Sequence, residues 1–262
     1  MSYQNYEKIA IKAATQAGKK ILAQFKCLKK SDIKTKSKHE IVTPSDTISE
    51  KIILNLIKKN FPDHAILSEE AGKKGAKKSD YLWIIDPLDG TTNFAIGNPL
   101  FSVSIALAKN DQIIIGVIYI PFLNQLYLAR KDKGAWLNQR RITVSSQNNI
   151  SHSFLTFCHG PNKTDVSTAI NLYQKLKPTS RDLRQIGSAA IECSWVAQGK
   201  TEAIIIPGAK IWDIAAGTLL VKEAGGIVTD MNGRDWNLNS NGIIASNKNI
   251  SQKLIKLVKK IK

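Results

Sequence analysis

The sequence predicts a mixed fold, an α+β first half followed by an α/β second half. Three patterns predict it: two amphipathic helix signals near the N-terminus, a series of β-rich runs separated by turn signals between residues 81 and 130, and a regular alternation of helix and strand signals from about residue 150 onward. The polar, turn-rich stretch SSQNN at 145–149 separates the two regimes, which divides the chain into halves 1–146 and 147–262.

In chain order, Tyr6, Ile9, Ala10, Ala13, Ala14, Ala17, Ile21 and Phe25 recur at three and four, the period of one helix face. After the Lys-rich KKSDIKTKSKHE, a second helix is predicted to start at TPSD, with Thr43 as N-cap and Pro44 at the first position, burying Ile48, Ile52 and Leu56. FPDH breaks that helix, and AILS reads as a short strand ending at Glu69-Glu70. GKKGAKKS reads as a basic loop and fails as a P-loop, because Lys77 stands where the second Gly is needed. YLWII, SVSIALA, QIIIGVIYI and QLYLA then read as strands of an antiparallel meander. Beyond the boundary come a strand at SFLTFC, a helix through TAINLYQKL, RQI, a helix from GSAAIECSWVAQ, a strand at AIII, a helix after WD, strands at GIVTD and GIIAS, and a basic final helix.

At 262 residues and 43% hydrophobic, the chain has enough material for a full core, and no apolar run approaches the ~18 residues of a membrane span. The N-terminus lacks an export pattern, and Cys27, Cys158 and Cys193 are odd in number and scattered, without C-x-x-C spacing. A reducing cytoplasm is the expected location. The net charge of +17 raises nucleic acid as a partner, but only six of the 38 basic residues are Arg and no recognition motif accompanies them. The reading favoured by composition is a solvated Lys-rich surface that concentrates anionic ligands.

The chemistry lies in the acids. WIIDPLDGTTNF carries an apolar run into Asp86 and Asp89, Glu69 and Glu70 follow an earlier strand, and Asp213 falls where a helix begins in KIWDIAAG. Carboxylates at strand ends need a cation, hydrogen bonds or solvent. Hard divalent cations take oxygen ligands in this number, and DPLD offers two carboxylates with the Leu88 carbonyl between them. Gly90 permits a tight turn, the N–H groups of Gly90 and Thr91 open a helix where phosphate binds, and a Thr hydroxyl beside them can orient a water. The combination points to metal-assisted hydrolysis of a phosphate ester. Taken singly each piece is weaker: D-x-x-D is a turn pattern, Glu-Glu a surface pair, Asp213 an ordinary first-turn acid. His39, His64, His152 and His159 show no metal spacing and read as structural or exposed.

SEE at 68–70, WIIDPLDGTTNF at 83–94 and WDIAAGTLLVKEAGG at 212–226, with VTPSD at 42–46 and GSAA at 187–190, resemble the motifs of the inositol monophosphatase family in order and spacing. The resemblance implies a layered αβαβα sandwich of the inositol monophosphatase and fructose-1,6-bisphosphatase type, homodimeric, with two or three Mg²⁺ ions and lithium sensitivity. It implies that Glu69, Asp86 and the Leu88 carbonyl hold a first ion, that Asp86, Asp89 and Asp213 hold a second, and that a third rests on Glu69. It further implies that Thr91, supported by Asp46, activates water with Glu69, and that Gly90, Thr91, Thr92 and Asp213 bind substrate. Glu70 is expected beside the site. A small phosphorylated metabolite is the expected partner, inositol 1-phosphate by default, with fructose 1,6-bisphosphate, NADP, histidinol phosphate and adenosine 3′,5′-bisphosphate as alternatives; a nucleic-acid or transcription-associated role is the less favoured one. One departure stands out. Where inositol-cleaving members place a Glu seven residues before the last metal-binding Asp, this chain has Ile206, followed by Pro207-Gly208, so relaxed substrate selection is expected; the rival expectation is that Lys210 or Glu192 has taken over, giving tight selectivity for a different, anionic alcohol.

Overall fold

Helix α1 (Tyr3–Phe25) buries Tyr6, Ile9, Ala10, Ala13, Ala14, Ala17 and Ile21, the stripe that the spacing marks out. The computed structural model describes residues 3–37, 40–76 and 78–260; His39 and Lys77, each of which carried a sequence reading, lie outside the described residues. The Lys-rich segment after α1 folds into an antiparallel ribbon of β1 (Lys34–Ser37) and β2 (Glu40–Val42). Helix α2 (Pro44–Asn60) starts as expected, with Thr43 as N-cap and Asp46 closing a capping box.

Its buried face differs from the expected one. Ser45, Asp46, Ser49, Glu50, Ile53 and Ile57 point inward, while Ile48, Ile52 and Leu56 are only half-buried. The reason is polar: the Ser49 hydroxyl donates to the Pro87 carbonyl at 2.6 Å, and Glu50 accepts from the Ser68 hydroxyl (2.5 Å) and the Ala71 amide (2.9 Å). A buried face that carries its own hydrogen-bond partners need not be apolar.

The first sheet has eight strands: β3 (Ala65–Ser68), β4 (Gly72–Gly75), β5 (Tyr81–Asp89), β6 (Ser102–Lys109), β7 (Gln112–Ile120), β8 (Gln125–Arg130), β9 (Gly134–Leu137) and β10 (Arg140–Arg141). Their order is β10-β9-β8-β7-β6-β5-β3-β4, with β3 parallel to β5 and the other pairs antiparallel. The basic GKKG is therefore an edge strand, not a loop; its lysines blunt an edge that would otherwise pair further. The short α3 (Thr91–Ala95) follows β5.

The second sheet, ordered β12-β11-β13-β15-β14, comprises β11 (Phe154–Phe157), β12 (Asp182–Arg184), β13 (Ala203–Pro207), β14 (Ile227–Thr229) and β15 (Gly242–Ser246). Strand β12 begins two residues ahead of the expected RQI because it pairs in parallel with β11 from Asp182. Helices α4 (Lys163–Leu176), α5 (Ala189–Ala197), α6 (Ile211–Glu223) and α7 (Lys248–Lys259) complete the chain.

Three apolar clusters define the layers. One joins α1 and α2 to the outer face of the first sheet. The second fills the space between the two sheets with α5 and α6. The third seats α4 and α7 against the far face of the second sheet. The result is the αβαβα sandwich, and it explains why β5 and β7 are nearly continuous apolar runs: both faces are covered.

The middle layer packs closely where Gly116 of β7 meets α6; a Cβ there would lie 2.7 Å from the Ala216 carbonyl oxygen. Gly116→Ala is expected to cost about 1–3 kcal/mol of stability through overpacking. A lowered urea midpoint with an unchanged slope would register it, and an unchanged midpoint would show that α6 yields at no cost.

Candidate active site

Strand β5 pairs regularly with β6 up to Asp86, opposite Ser104, and then slips so that Asp89 pairs with Ser102. This irregularity brings two carboxylates three residues apart to one end of the sheet. It is held from both sides: the Leu88 amide donates to Asp86 Oδ1 at 3.0 Å, and the Pro87 carbonyl is the acceptor for Ser49. Gly90 then turns the chain with φ +87°, packed so that a Cβ would lie 3.0 Å from the Leu100 carbonyl oxygen. Only five residues of helix follow, so the amides of this turn matter more than any macrodipole.

Thr91 Oγ1 lies 3.1 Å from Asp46 Oδ1 and 2.9 Å from the Leu88 carbonyl oxygen, either of which accepts its single proton. Asp46 is fully buried, and its other oxygen accepts from the Thr43 amide (2.8 Å) and hydroxyl (2.7 Å). The N-cap of α2 thus also anchors the hydroxyl at the site. Glu69 leaves β3 with its amide donating to the Ile85 carbonyl at 3.1 Å, beside β5. Lys36 of the β1–β2 ribbon pairs with Glu69 at 3.3 Å and with Glu70.

The second half supplies the rest. Asp213 lies in the first turn of α6. Asp89 is bound mainly by α5: the Ser188 hydroxyl at its N-cap, the Ala189 amide (3.2 Å) and the Ala190 amide (3.0 Å) all donate to it, with Ser102 at 3.2 Å. Behind this contact the buried Glu192 accepts from the amides of Ile186 and Gly187 (3.0 and 3.1 Å), bracing the turn that carries Ser188.

Glu69, Asp86, Leu88, Asp89, Gly90, Thr91, Thr92 and Asp213 all line one cavity of about 190 Å³, and Asp46 stands behind Thr91. That volume falls below the ~300–1,000 Å³ of pockets for drug-sized ligands and suits a small metabolite. Glu70 lies beside the site, as expected, sharing Lys36 with Glu69 without lining the cavity. Two expectations need correction. His159, read as structural or exposed, lines the cavity wall with Lys210 and Trp212. Glu192 does not reach the cavity, because its carboxylate is used on its own turn. Sequence reasoning also missed Ser102, Ser188 and Lys36 as partners of the acids. The Ser before two alanines in GSAA was a legible N-cap signal, whereas nothing local marked the other two.

The electrostatics follow from burial. Desolvation, with repulsion from Glu69, Asp89 and Asp213, pushes Asp86 well above the usual carboxylate range, and desolvation with repulsion from Asp89 and Glu69 does the same to Asp213. Desolvation raises Asp89 to about 6 against the pull of its four donors, and Glu69 to about 7 against the pull of Lys36. Burial also raises Asp46, and it takes Glu192 to about 8. Two buried and two half-buried carboxylates, with one ammonium, Lys36, paired to Glu69, form a donor set of hard oxygens short of positive charge, which fits a hard divalent cation. Among the described residues no three of them are already grouped closely enough to hold a metal ion; Lys36 is paired with Glu69, and α5 donates to Asp89.

A model of the inositol monophosphatase family matches residues 2–262. The chain belongs to that family. It is 38% identical over 250 residues to a protein named Nus factor SuhB from Pasteurella multocida, covering 94% of this chain and 93% of the relative. It is 35% identical over 254 residues to an inositol-1-monophosphatase from Mesorhizobium japonicum, covering 96% and 95%. The crystal structure of an extragenic suppressor protein SuhB from Bartonella henselae superposes with a TM-score of 0.90 at 34% identity, covering 97% of this chain and 98% of that one. The layered sandwich is thus the family fold.

The raised acids carry a consequence for stability. Folded Glu69 and Asp89, at about 7 and about 6, hold protons more tightly than unfolded carboxyls at ~4, so metal-free stability falls as pH rises through roughly 4 to 7; His64, which burial lowers, opposes this as a single group. With chelator present, the melting temperature should drop between pH 5.5 and 7.5. Saturating Mg²⁺ should raise it most at the upper end, where the acids are charged. A chelated protein that gains stability over this range would contradict the shifts.

Proposed function

We propose that the protein hydrolyses small phosphate monoesters with Mg²⁺, inositol 1-phosphate being the default substrate, as a cytoplasmic homodimer. The observation that carries this reading is the meeting, in one cavity, of four carboxylates and the Leu88 carbonyl with the Thr91–Asp46 pair. Glu69, Asp86 and Leu88 would hold one ion, Asp86, Asp89 and Asp213 a second, and Glu69 with water a weaker third. Bound there, the ions would screen the phosphate, acidify a water and stabilise the departing oxygen.

The chain's own groups do the rest. The amides of Gly90, Thr91 and Thr92, in a turn too short to satisfy them internally, bind phosphate oxygens. Thr91 passes its proton toward Asp46 Oδ1, which leaves the hydroxyl oxygen to accept a proton from water. Asp46 is ready for that proton because burial raises it. Glu69, which lines the same cavity, would help to orient that water. As the water oxygen bonds to phosphorus, the ester P–O bond breaks and the alcohol oxygen takes up a proton from solvent. Ile206 lies in the core of the middle layer rather than on the cavity wall, so β13 offers no side-chain acceptor for a polyol hydroxyl, which supports relaxed choice of alcohol.

A second reading, association with nucleic acid or the transcription machinery, is favoured by one observation, the name Nus factor SuhB carried by the Pasteurella relative, together with the charge of +17. The complete acid set favours the enzyme.

Asp213→Asn removes one charge from the set. Phosphate release is expected to fall at least ~10²-fold, about 2.7 kcal/mol of barrier. Near-normal turnover in a folded variant would sink the assignment. If the ions exchange during turnover, Li⁺ should inhibit more strongly than Na⁺ at matched ionic strength; equal inhibition would reduce the effect to screening.

A further inference from the structure

The acids and the Gly90–Thr92 turn are assigned above to metal and phosphate. The cavity is also lined by Glu40 and Ile41 of β2 and by a wall made of the 158–161 loop after β11 and the residues just ahead of Asp213, with His159, Lys210 and Trp212 on it. Position 206 is a buried Ile that brings no side-chain acceptor to the cavity. The charged side chain on that wall is Lys210, and it is exposed.

Among the described residues, Lys210 takes part in none of the ion pairs that occupy Lys36, Arg130, Lys177, Arg184 and Arg234. Lys210 is the N-cap of α6 with Asp213 three residues on, so its side chain starts close to the proposed ion site, and its charge favours ionised Asp213 without closing on it. His159 Nδ1 must donate to the Gly160 carbonyl at 2.9 Å, since a carbonyl only accepts, and this leaves Nε2 for another partner.

The wall is firmly set. The Gly160 amide donates to the Pro207 carbonyl at 2.8 Å, and a Cβ on Gly160 would stand 2.2 Å from the Gly208 carbonyl oxygen. Gly208, at φ +70°, in turn leaves no room for a Cβ against the buried Asp165 carboxylate, 2.1 Å from its Cγ. The loops bearing His159 and Lys210 are thereby clasped at a fixed separation.

We propose that Lys210, aided by His159, forms a subsite for a carboxylate, so that the preferred substrates are phosphomonoesters whose alcohol part itself bears one. This deepens the phosphatase reading and rests on it. An ammonium on the cavity lining attracts such a group electrostatically, whereas a neutral polyol gains nothing from its charge.

Two compounds that differ only in this respect test it: 3-phosphoglycerate and glycerol 3-phosphate, which carry a carboxylate and a hydroxymethyl group at the same place. The unmodified protein with Mg²⁺ should favour 3-phosphoglycerate by about tenfold or more in kcat/KM, mainly through KM. Lys210→Gln should lower that ratio about tenfold, equivalent to ~1.4 kcal/mol, and Lys210→Arg should retain it. Equal kcat/KM for the two compounds, or a ratio unmoved by Lys210→Gln because both rates change together, would overturn the subsite and leave Lys210 as a modulator of Asp213. If neither compound were hydrolysed, the phosphatase reading would fall separately. Calorimetric titration of both compounds with Mg²⁺ would then still decide the subsite: tighter 3-phosphoglycerate binding lost in Lys210→Gln supports it, and equal binding refutes it.

Discussion

Desolvation of the carboxylates gathered around one small cavity is the constraint to which the rest of the molecule answers. Glu69, Asp86, Asp89 and Asp213 come from the end of β3, from β5 and from α6; burial raises the proton affinity of all four, and repulsion from the other acids adds to it at Asp86 and Asp213. Such a cluster destabilises the fold unless each charge finds donors or a cation. The structure meets it with side-chain and backbone donors: Leu88 to Asp86, the start of α5 to Asp89, Lys36 to Glu69. What these leave uncompensated is the share for which divalent ions are suited.

The hydrogen bonds on Asp89 also tie the two halves together. An acid at the end of a strand in the first sheet is solvated by the start of a helix that belongs to the second half, and Glu192 secures the turn just before that helix. The site is therefore complete only when α5 and α6 have docked between the sheets. Its geometry is coupled to the packing of the middle layer, where Gly116 and Ala216 set the distance. The same logic accounts for the polar buried face of α2: Ser49 holds the Pro87 carbonyl, Glu50 holds the turn after β3, and Asp46 holds Thr91, so one helix face serves the strand that carries the chemistry.

Phosphate and alcohol are handled by separate parts of the fold. The phosphate side is built at a strand end and a tight turn, where backbone amides are short of partners and small residues allow close approach. The alcohol side is built from two loops clasped through Gly160 and Gly208. Side chains carried on those loops make none of the hydrogen bonds that hold Asp86 and Asp89, so chemistry and selectivity are largely separable in this architecture, Lys210 reaching the acids only through its charge on Asp213.

The sequence by itself determined the order of elements, the stripe of α1, the cap of α2, the meander, the αβαβα class through its motifs, and the acids of the cavity, because each is written in local periodicity, turn chemistry or a contiguous motif. Which face α2 buries was decided only in three dimensions, since Ser49 and Glu50 look exposed until the Pro87 carbonyl and the Ala71 amide are seen beside them. The pairing of GKKG as an edge strand depended on β3 being present to receive it. Lys36, Ser102 and Ser188 became partners of the acids, and His159 with Lys210 became a wall, through contacts between residues far apart in the chain. Such contacts leave no period or spacing to read, because they exist only once the two sheets have closed on the middle layer.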